Sequence, residues 1–364
     1  MRSNIHPNQV SLFDFTQNRG ATERERERER ERGGGGVCHI YDDIVSLENL
    51  LVSWQEFLRG KRKRKDVAEF SLKFTDSIIQ LHRDLAERNY QHGPYFPFKI
   101  TDPKPRDIHK ANLRDRVVHH AIYRILCPFF DKKFIFDSYS CRKNKGTHRA
   151  MDRFHQFGTK VSRNSTRTAW VLKCDVRKFF ASIDHKILKE ILNKHIEDTN
   201  TLSLLGKVID SFSTKNKESV GIPLGNLTSQ LLVNIYMNEF DQFVKRKLKA
   251  RYYIRYADDF LILSEDKNHL EELVPQISEF LETELKLTLH PNKLFIKTLA
   301  SGVDFLGWIT FPCHRIPRTS TKRRMFKKLS NNKSKETLNS YLGLLSHGNT
   351  YELTQKIGTE SQSD

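Results

Sequence analysis

Apolar residues recur at helical spacing over two stretches near the start of the chain. Ile44, Leu47, Leu51, Trp54 and Leu58 form one stripe, and they predict an amphipathic helix from Ile44 to Phe57. Phe70, Phe74, Ile78, Leu81 and Leu85 form another, predicting a second helix over Asp66 to Arg88. Residues 90 to 110 are rich in proline and aromatic side chains. They predict strands joined by a turn at Asp102-Pro103-Lys104-Pro105. Helical spacing returns over residues 111 to 135.

Further on the period alternates. Trp170 to Asp175 predicts a strand, and Ile183 to His195 a helix opened by Ser182 or Asp184. The loop Gly221 to Gly225 precedes a long helical pattern from Asn226 to Leu248. Tyr252 to Leu263 predicts two strands meeting at a tight turn. A helix over Leu270 to Leu285 follows, then short strands at Leu287 to Leu289, Leu294 to Lys297 and Phe305 to Thr310. Such a mixed order predicts the α+β class with an antiparallel sheet. Residues 1 to 36 have no apolar face. Their Glu-Arg run from Glu23 to Arg32 and the four glycines after it predict a disordered, low-complexity terminus.

Charge narrows the partners. Among 364 residues, Lys and Arg outnumber Asp and Glu by 62 to 44. The Glu-Arg run is balanced, so the net +18 lies on the rest of the chain. A polyanion is the expected partner, nucleic acid first and an anionic membrane surface second; an ordinary basic protein is the plainer alternative. In the basic run Arg59 to Lys65, the stretch Lys61 to Lys65 fits either contact with RNA phosphates or a solvated loop. Cysteines 38, 127, 141, 174 and 313 form no metal-binding spacing, which suits reduced thiols. No apolar run is long enough to span a membrane, and no signal peptide opens the chain. A soluble, cytoplasmic protein with no membrane partner is expected.

Candidate chemistry concentrates in one segment. Tyr253 to Leu263 places Asp258 and Asp259 between two apolar, strand-forming runs. Like charges at the tip of an apolar hairpin repel each other and resist desolvation. A divalent cation removes that cost, and Mg²⁺ favours one or two carboxylates plus phosphate oxygens. An exposed acidic turn is the alternative. Val171 to Asp175 is a second apolar strand ending in a carboxylate. If it pairs beside the hairpin, a two-ion site for nucleotidyl transfer becomes possible.

These segments resemble a known family. Cys174-Asp175 to Phe180, Gly221 to Gln230 and Tyr256-Ala-Asp-Asp259 resemble, in order, the palm motifs of reverse transcriptases. Arg106-Asp-Ile-His, Asp115-Arg116-Val117, Ser138 to Arg142 and Gly146 to Ala150 resemble the motifs before them. His290-Pro-Asn-Lys293 and Phe305-Leu-Gly-Trp308 resemble the last palm motif and the primer grip. The resemblance implies a right-hand polymerase fold. It divides the chain into a helical region at 37–89, fingers and palm at 90–310, and a short basic thumb and tail at 311–364.

It also implies site roles. Asp175, Asp258 and Asp259 would hold two Mg²⁺ ions, with Mn²⁺ able to substitute. Lys104, Arg106 and Lys293 would meet the triphosphate, and Phe180 would exclude a 2′-hydroxyl. Arg116, Arg142, Lys322, Arg323 and Arg324 would contact nucleic acid. The implied partners are an RNA template, a DNA or RNA primer and dNTPs. Leu224 to Gln230, with Gln230 near the nascent base pair, and the tail Ser340 to Asn349 look like the enzymes of diversity-generating retroelements. Those copy a template-repeat RNA with errors at adenine and work with a small basic accessory protein. An abortive-infection reverse transcriptase and a non-catalytic RNA-binding scaffold are the competing readings.

Overall fold

The computed structural model describes residues 40–102, 104–214, 218–332 and 334–360. The predicted terminal disorder at 1 to 36 lies outside them, as does Pro103 of the predicted turn.

The first helical stripe is two helices, α1 (Tyr41–Val45) and α2 (Leu47–Leu58). Ser46 separates them and caps α2, its side chain accepting from the Asn49 amide. A serine at this position gives the backbone an alternative to continuing the first helix. The second stripe is also divided, into α3 (Lys65–Leu72) and α4 (Phe74–Ala86), with Lys73 between them. Phe70 and Phe74 flank that break, and both rings pack on Trp54, with centroids 5.0 and 5.2 Å away. Tertiary stacking on one indole outweighs helix continuity there.

Strands β1 (Phe96–Ile100) and β2 (Arg106–Lys110) form an antiparallel hairpin. Helix α5 (Leu113–Asp131) starts from Asn112, whose side chain accepts from the Asp115 amide. Helix α6 (Thr147–Val161), for which the apolar pattern made no prediction, precedes strand β3 (Trp170–Asp175). Helices α7 (His185–Asn193) and α8 (Thr199–Asp210) follow. Of the two capping candidates for α7, Asp184 is the cap, accepting from the Ile187 amide at 3.1 Å. Helix α9 (Leu227–Gln242) ends in a wider turn over Phe243–Lys247, so the predicted long helix changes pitch in its last turn.

Strands β4 (Tyr252–Tyr256) and β5 (Asp259–Ser264) make the acidic hairpin, and α10 (Lys267–Glu284) follows it. Strand β6 (Phe295–Thr298) completes an antiparallel sheet in the order β4-β5-β3-β6. The predicted strand at Leu287 to Leu289 is absent, since only Leu289 forms an isolated bridge, to Val176. Phe305 to Thr310 is likewise no single strand. It is divided between β7 (Val303–Phe305) and β8 (Trp308–Thr310), which turn back through Leu306 and Gly307. Both turn residues have positive φ, 52° and 89°, as a two-residue hairpin turn requires. Strand β9 (Arg315–Pro317) joins this ribbon, and α11 (Thr319–Asn331), α12 (Lys335–Leu345) and α13 (Tyr351–Glu360) end the described chain.

The four-stranded sheet is covered on both faces, and side-chain alternation sorts its residues. Leu172, Cys174, Phe260 and Ile262 face the large core with α9 and α10. Val171, Leu261 and Leu263 face a second core with Phe154 and Phe157 of α6 and Phe305 of the ribbon. A small third core of Met325, Leu329, Leu345 and Ile357 holds α11 to α13 together. The α+β class with antiparallel sheets stands as the pattern predicted. Among the described residues no helix is long and apolar enough to cross a membrane.

Candidate active site

The strand register brings the predicted carboxylates together. Asp175 ends β3 directly opposite Asp259, which begins β5. Asp258 sits in the β4–β5 turn, and its carbonyl accepts from the Val176 amide at 3.1 Å. Ala257, the first turn residue, takes a left-handed φ of 55°, a conformation in which glycine is favoured. Backbone strain of this kind persists only where the surroundings hold it in place, often at functional sites.

Electrostatics single out the same group. Burial raises the Asp258 pKa, and the Asp175 charge adds to it. Burial likewise pushes Asp259 up to about 7, with Asp175 and Asp258 adding repulsion and Lys173 opposing it. One oxygen of Asp259, Oδ1, is buried without a hydrogen-bond partner. Lys293 Nζ lies 2.7 Å from Asp175 Oδ1, and Lys173 Nζ lies 3.4 Å from Asp259 Oδ2. Among the described residues no three side chains of ligand type already stand together as an ion cage. Three crowded carboxylates, an orphaned oxygen and hard oxygen donors nevertheless fit Mg²⁺, which takes few protein ligands and completes its shell with water and phosphate.

A cavity of about 2100 Å³ opens over these carboxylates. Its wall includes Lys104, Arg106, Phe180, Gln230 and Lys293 from the predicted set. Both Phe179 and Phe180 border the cavity, but Phe179 is buried in the main core whereas Phe180 is only partly buried. The loop before α9 is stitched to the end of β2. Asn226 accepts from the Ala111 amide at 3.2 Å and donates to the His109 carbonyl at 2.8 Å. Gly225 is needed in this seam, since a Cβ there would lie 2.7 Å from Ile108 Cγ2 at a φ of +110°. That seam fixes the first turn of α9, and Gln230 with it.

The predicted nucleic-acid contacts divide. Arg323 and Arg324 line the cavity, together with Lys327 and Lys328. Arg324 and Lys328 also reach Asp102 beyond β1, at 3.6 and 3.7 Å. Lys322 is on the same helix but is not among the lining residues. Arg116 and Arg142 are not brought to the cavity. Arg116 pairs with Asp66 at 2.8 Å and lies over the Phe57 ring. Arg142 pairs with Asp131 at 2.6 Å and donates to the Ile135 and Ser138 carbonyls. Both guanidiniums are engaged inside the protein, Arg116 by a carboxylate 50 residues away and Arg142 by groups 4 to 11 residues before it.

Two groups went unnoticed in the sequence. One is Lys173. The other is Arg255 with Asp241, a fully buried pair at 2.6 Å. Arg255 also donates to the Ala257 carbonyl at 3.0 Å and to Ser138 Oγ at 3.1 Å, so it braces the acidic turn from behind. The lone Lys in an apolar strand was a readable signal, whereas the Arg255 pairing depends on tertiary contact.

Known proteins resemble the chain. It is 29% identical over 285 residues to protein YkfC of Escherichia coli, covering 67% of this chain and 72% of YkfC. It is 23% identical to the group II intron-encoded protein LtrA of Lactococcus lactis, covering 76% of this chain and 54% of LtrA. The chain therefore spans about half of LtrA and most of YkfC. A solved telomerase from Candida albicans in complex with a telomeric RNA fragment superposes with a TM-score of 0.47 at 11% identity, over 65% of this chain and 48% of that one. Residues 101–310 match the family model of reverse transcriptase, RNA-dependent DNA polymerase, and the chain belongs to that family.

Proposed function

We propose that the chain makes cDNA on an RNA template, with Asp175 and Asp258 as principal metal ligands and Asp259 in support. The observation that carries this reading is the meeting of the three carboxylates at one end of the sheet's two inner strands, facing a cavity lined by cations. Bound Mg²⁺ would activate the primer 3′-hydroxyl and neutralise the triphosphate. The rest falls to the protein. Arg106 and Lys104 enter the cavity from the β1–β2 hairpin, where a guanidinium fork suits phosphate oxygens. Lys293 is 42% exposed, and so is free to leave Asp175 for an arriving triphosphate. Phe180 offers a ring where the sugar would lie, so a 2′-hydroxyl meets steric resistance. The β1–β2 hairpin then serves as fingers, the four-stranded sheet as palm and α11 to α13 as a short thumb. Arg323, Lys327 and Lys328 suit the backbone of a template–primer duplex.

The biological setting we infer is a diversity-generating retroelement, with error-prone copying of a template-repeat RNA and a small basic accessory protein as partner. Support comes from Leu224 to Gln230 and from Gln230 lying in the cavity wall. Primer extension by the wild-type protein on an RNA template, followed by cDNA sequencing, tests it. The expected result is an excess of errors opposite template adenine. Errors spread evenly over the four bases would contradict the diversifying role and leave the polymerase.

A further inference from the structure

Lys173 is the one charged side chain within the apolar run Trp170 to Cys174. Alternation along β3 and its pairing with β5 put it on the face that carries Asp175 and Asp259. It is 9% exposed. Its ammonium group has two partners, Asp259 Oδ2 at 3.4 Å and the Asp304 carbonyl at 2.6 Å. Asp304 belongs to β7, and its carboxylate receives Arg318 Nη1 at 2.8 Å. Arg318 immediately precedes α11. A polar chain therefore runs from the acidic hairpin, through Lys173 and the β7 backbone, to the base of the C-terminal helices. Lys173, Asp304 and Arg318 all line the cavity.

An ammonium in this position is costly. Burying it is unfavourable unless good pairing offsets the lost hydration, and an apolar side chain would avoid that cost. The charge count suggests what it is for. Asp175, Asp258 and Asp259 carry three negative charges when ionised. Lys293 is half-exposed, so solvent and salt screen it. Lys173 is not screened in that way, and its charge leaves two, which one divalent ion balances. We propose that Lys173 is the resident counter-ion of Asp259, a positioning residue that limits the empty site to one tightly held divalent cation and ties Asp259 to the β7 ribbon. This rests on the metal-binding reading above.

The test is a calorimetric titration of the full chain with Mg²⁺ at pH 8, without nucleotide or nucleic acid. Lys173→Met, Lys173→Gln and Lys173→Arg are compared with wild type, and circular dichroism checks their folding. Removing one nearby buried charge should tighten Mg²⁺ binding by about tenfold or more in the Met variant, with the Gln variant read if Met does not fold. The Arg variant should restore the wild-type affinity. In an Asp259→Asn background, where Lys173 has lost its carboxylate partner, Lys173→Met should tighten Mg²⁺ binding as well, since the charge then repels the ion uncompensated. Unchanged or weaker Mg²⁺ binding in folded Lys173→Met and Lys173→Gln, beside a wild type that binds, overturns the role of Lys173 alone. No binding by any of these proteins overturns the metal-site reading with it.

Discussion

Two charged groups stand at opposite ends of the same turn, and the protein treats them in opposite ways. At the end of β4, Arg255 and its partner Asp241 are fully buried. Arg255 uses both terminal nitrogens and Nε, on Asp241, Asn234, Ser138 and the Ala257 carbonyl. Tyr253 adds a further bond to Asp241 at 2.6 Å. At the start of β5, Asp259 keeps a buried oxygen with no partner and a pKa raised by burial. Buried polar groups are normally satisfied, so an exception calls for a reason. The satisfied pair holds the turn in place, whereas the unpartnered oxygen of Asp259 is what the proposed metal-binding role would use.

The largest effect on stability should come from the satisfied side. Asp241→Ala leaves the Arg255 guanidinium buried and unpaired, which costs on the order of 3–5 kcal/mol. Denaturant unfolding measures it; a loss under about 1 kcal/mol would show that the pair is no brace and would erase the contrast.

On the unsatisfied side the sign should reverse. Asp259 titrates near 7 when folded, against an ordinary value of 3.8. Between those values the folded state binds the extra proton, so stability falls as pH rises through the window and stays low above it. Asp259→Asn removes that penalty. In chelator it should gain about 1–3 kcal/mol above pH 7 and gain nothing below pH 4, while polymerase activity falls. Thermal melts across pH report this, and a destabilised Asp259→Asn at pH 8 would place Asp259 with the structural charges.

Smaller effects sharpen the division within the cavity wall. Phe180→Ala should reduce the preference for dNTPs over rNTPs by about tenfold or more, read from kcat/KM for matched nucleotides. Phe179→Ala should instead lower stability and leave the nucleotide preference unchanged, because that ring is in the core. Replacing Lys327 and Lys328 by Ala should lower the salt slope of duplex binding by about one for each phosphate no longer neutralised.

What the sequence revealed follows from where each signal resides. Asp175, Asp258 and Asp259 were legible because each interrupts a local apolar run, and period-two alternation then determines the face. Ser46 and Lys73 divided their helices despite unbroken apolar stripes, because capping and the packing of Phe70 and Phe74 on Trp54 act outside the stripe. The ribbon at Phe305 to Thr310 looked like one strand, since nothing in Leu306 announces a left-handed φ. Arg116 and Arg142 illustrate the limit most clearly. A basic residue in a motif suggests phosphate, but Asp66 and Asp131 had already claimed these two guanidiniums.

The most direct test is primer extension on an RNA template with Mg²⁺ and dNTPs, comparing wild type with Asp258→Ala after both are shown to be folded. The account predicts extension by the wild type and a loss on the order of 10³-fold in the variant. Extension by Asp258→Ala at the wild-type rate would contradict it.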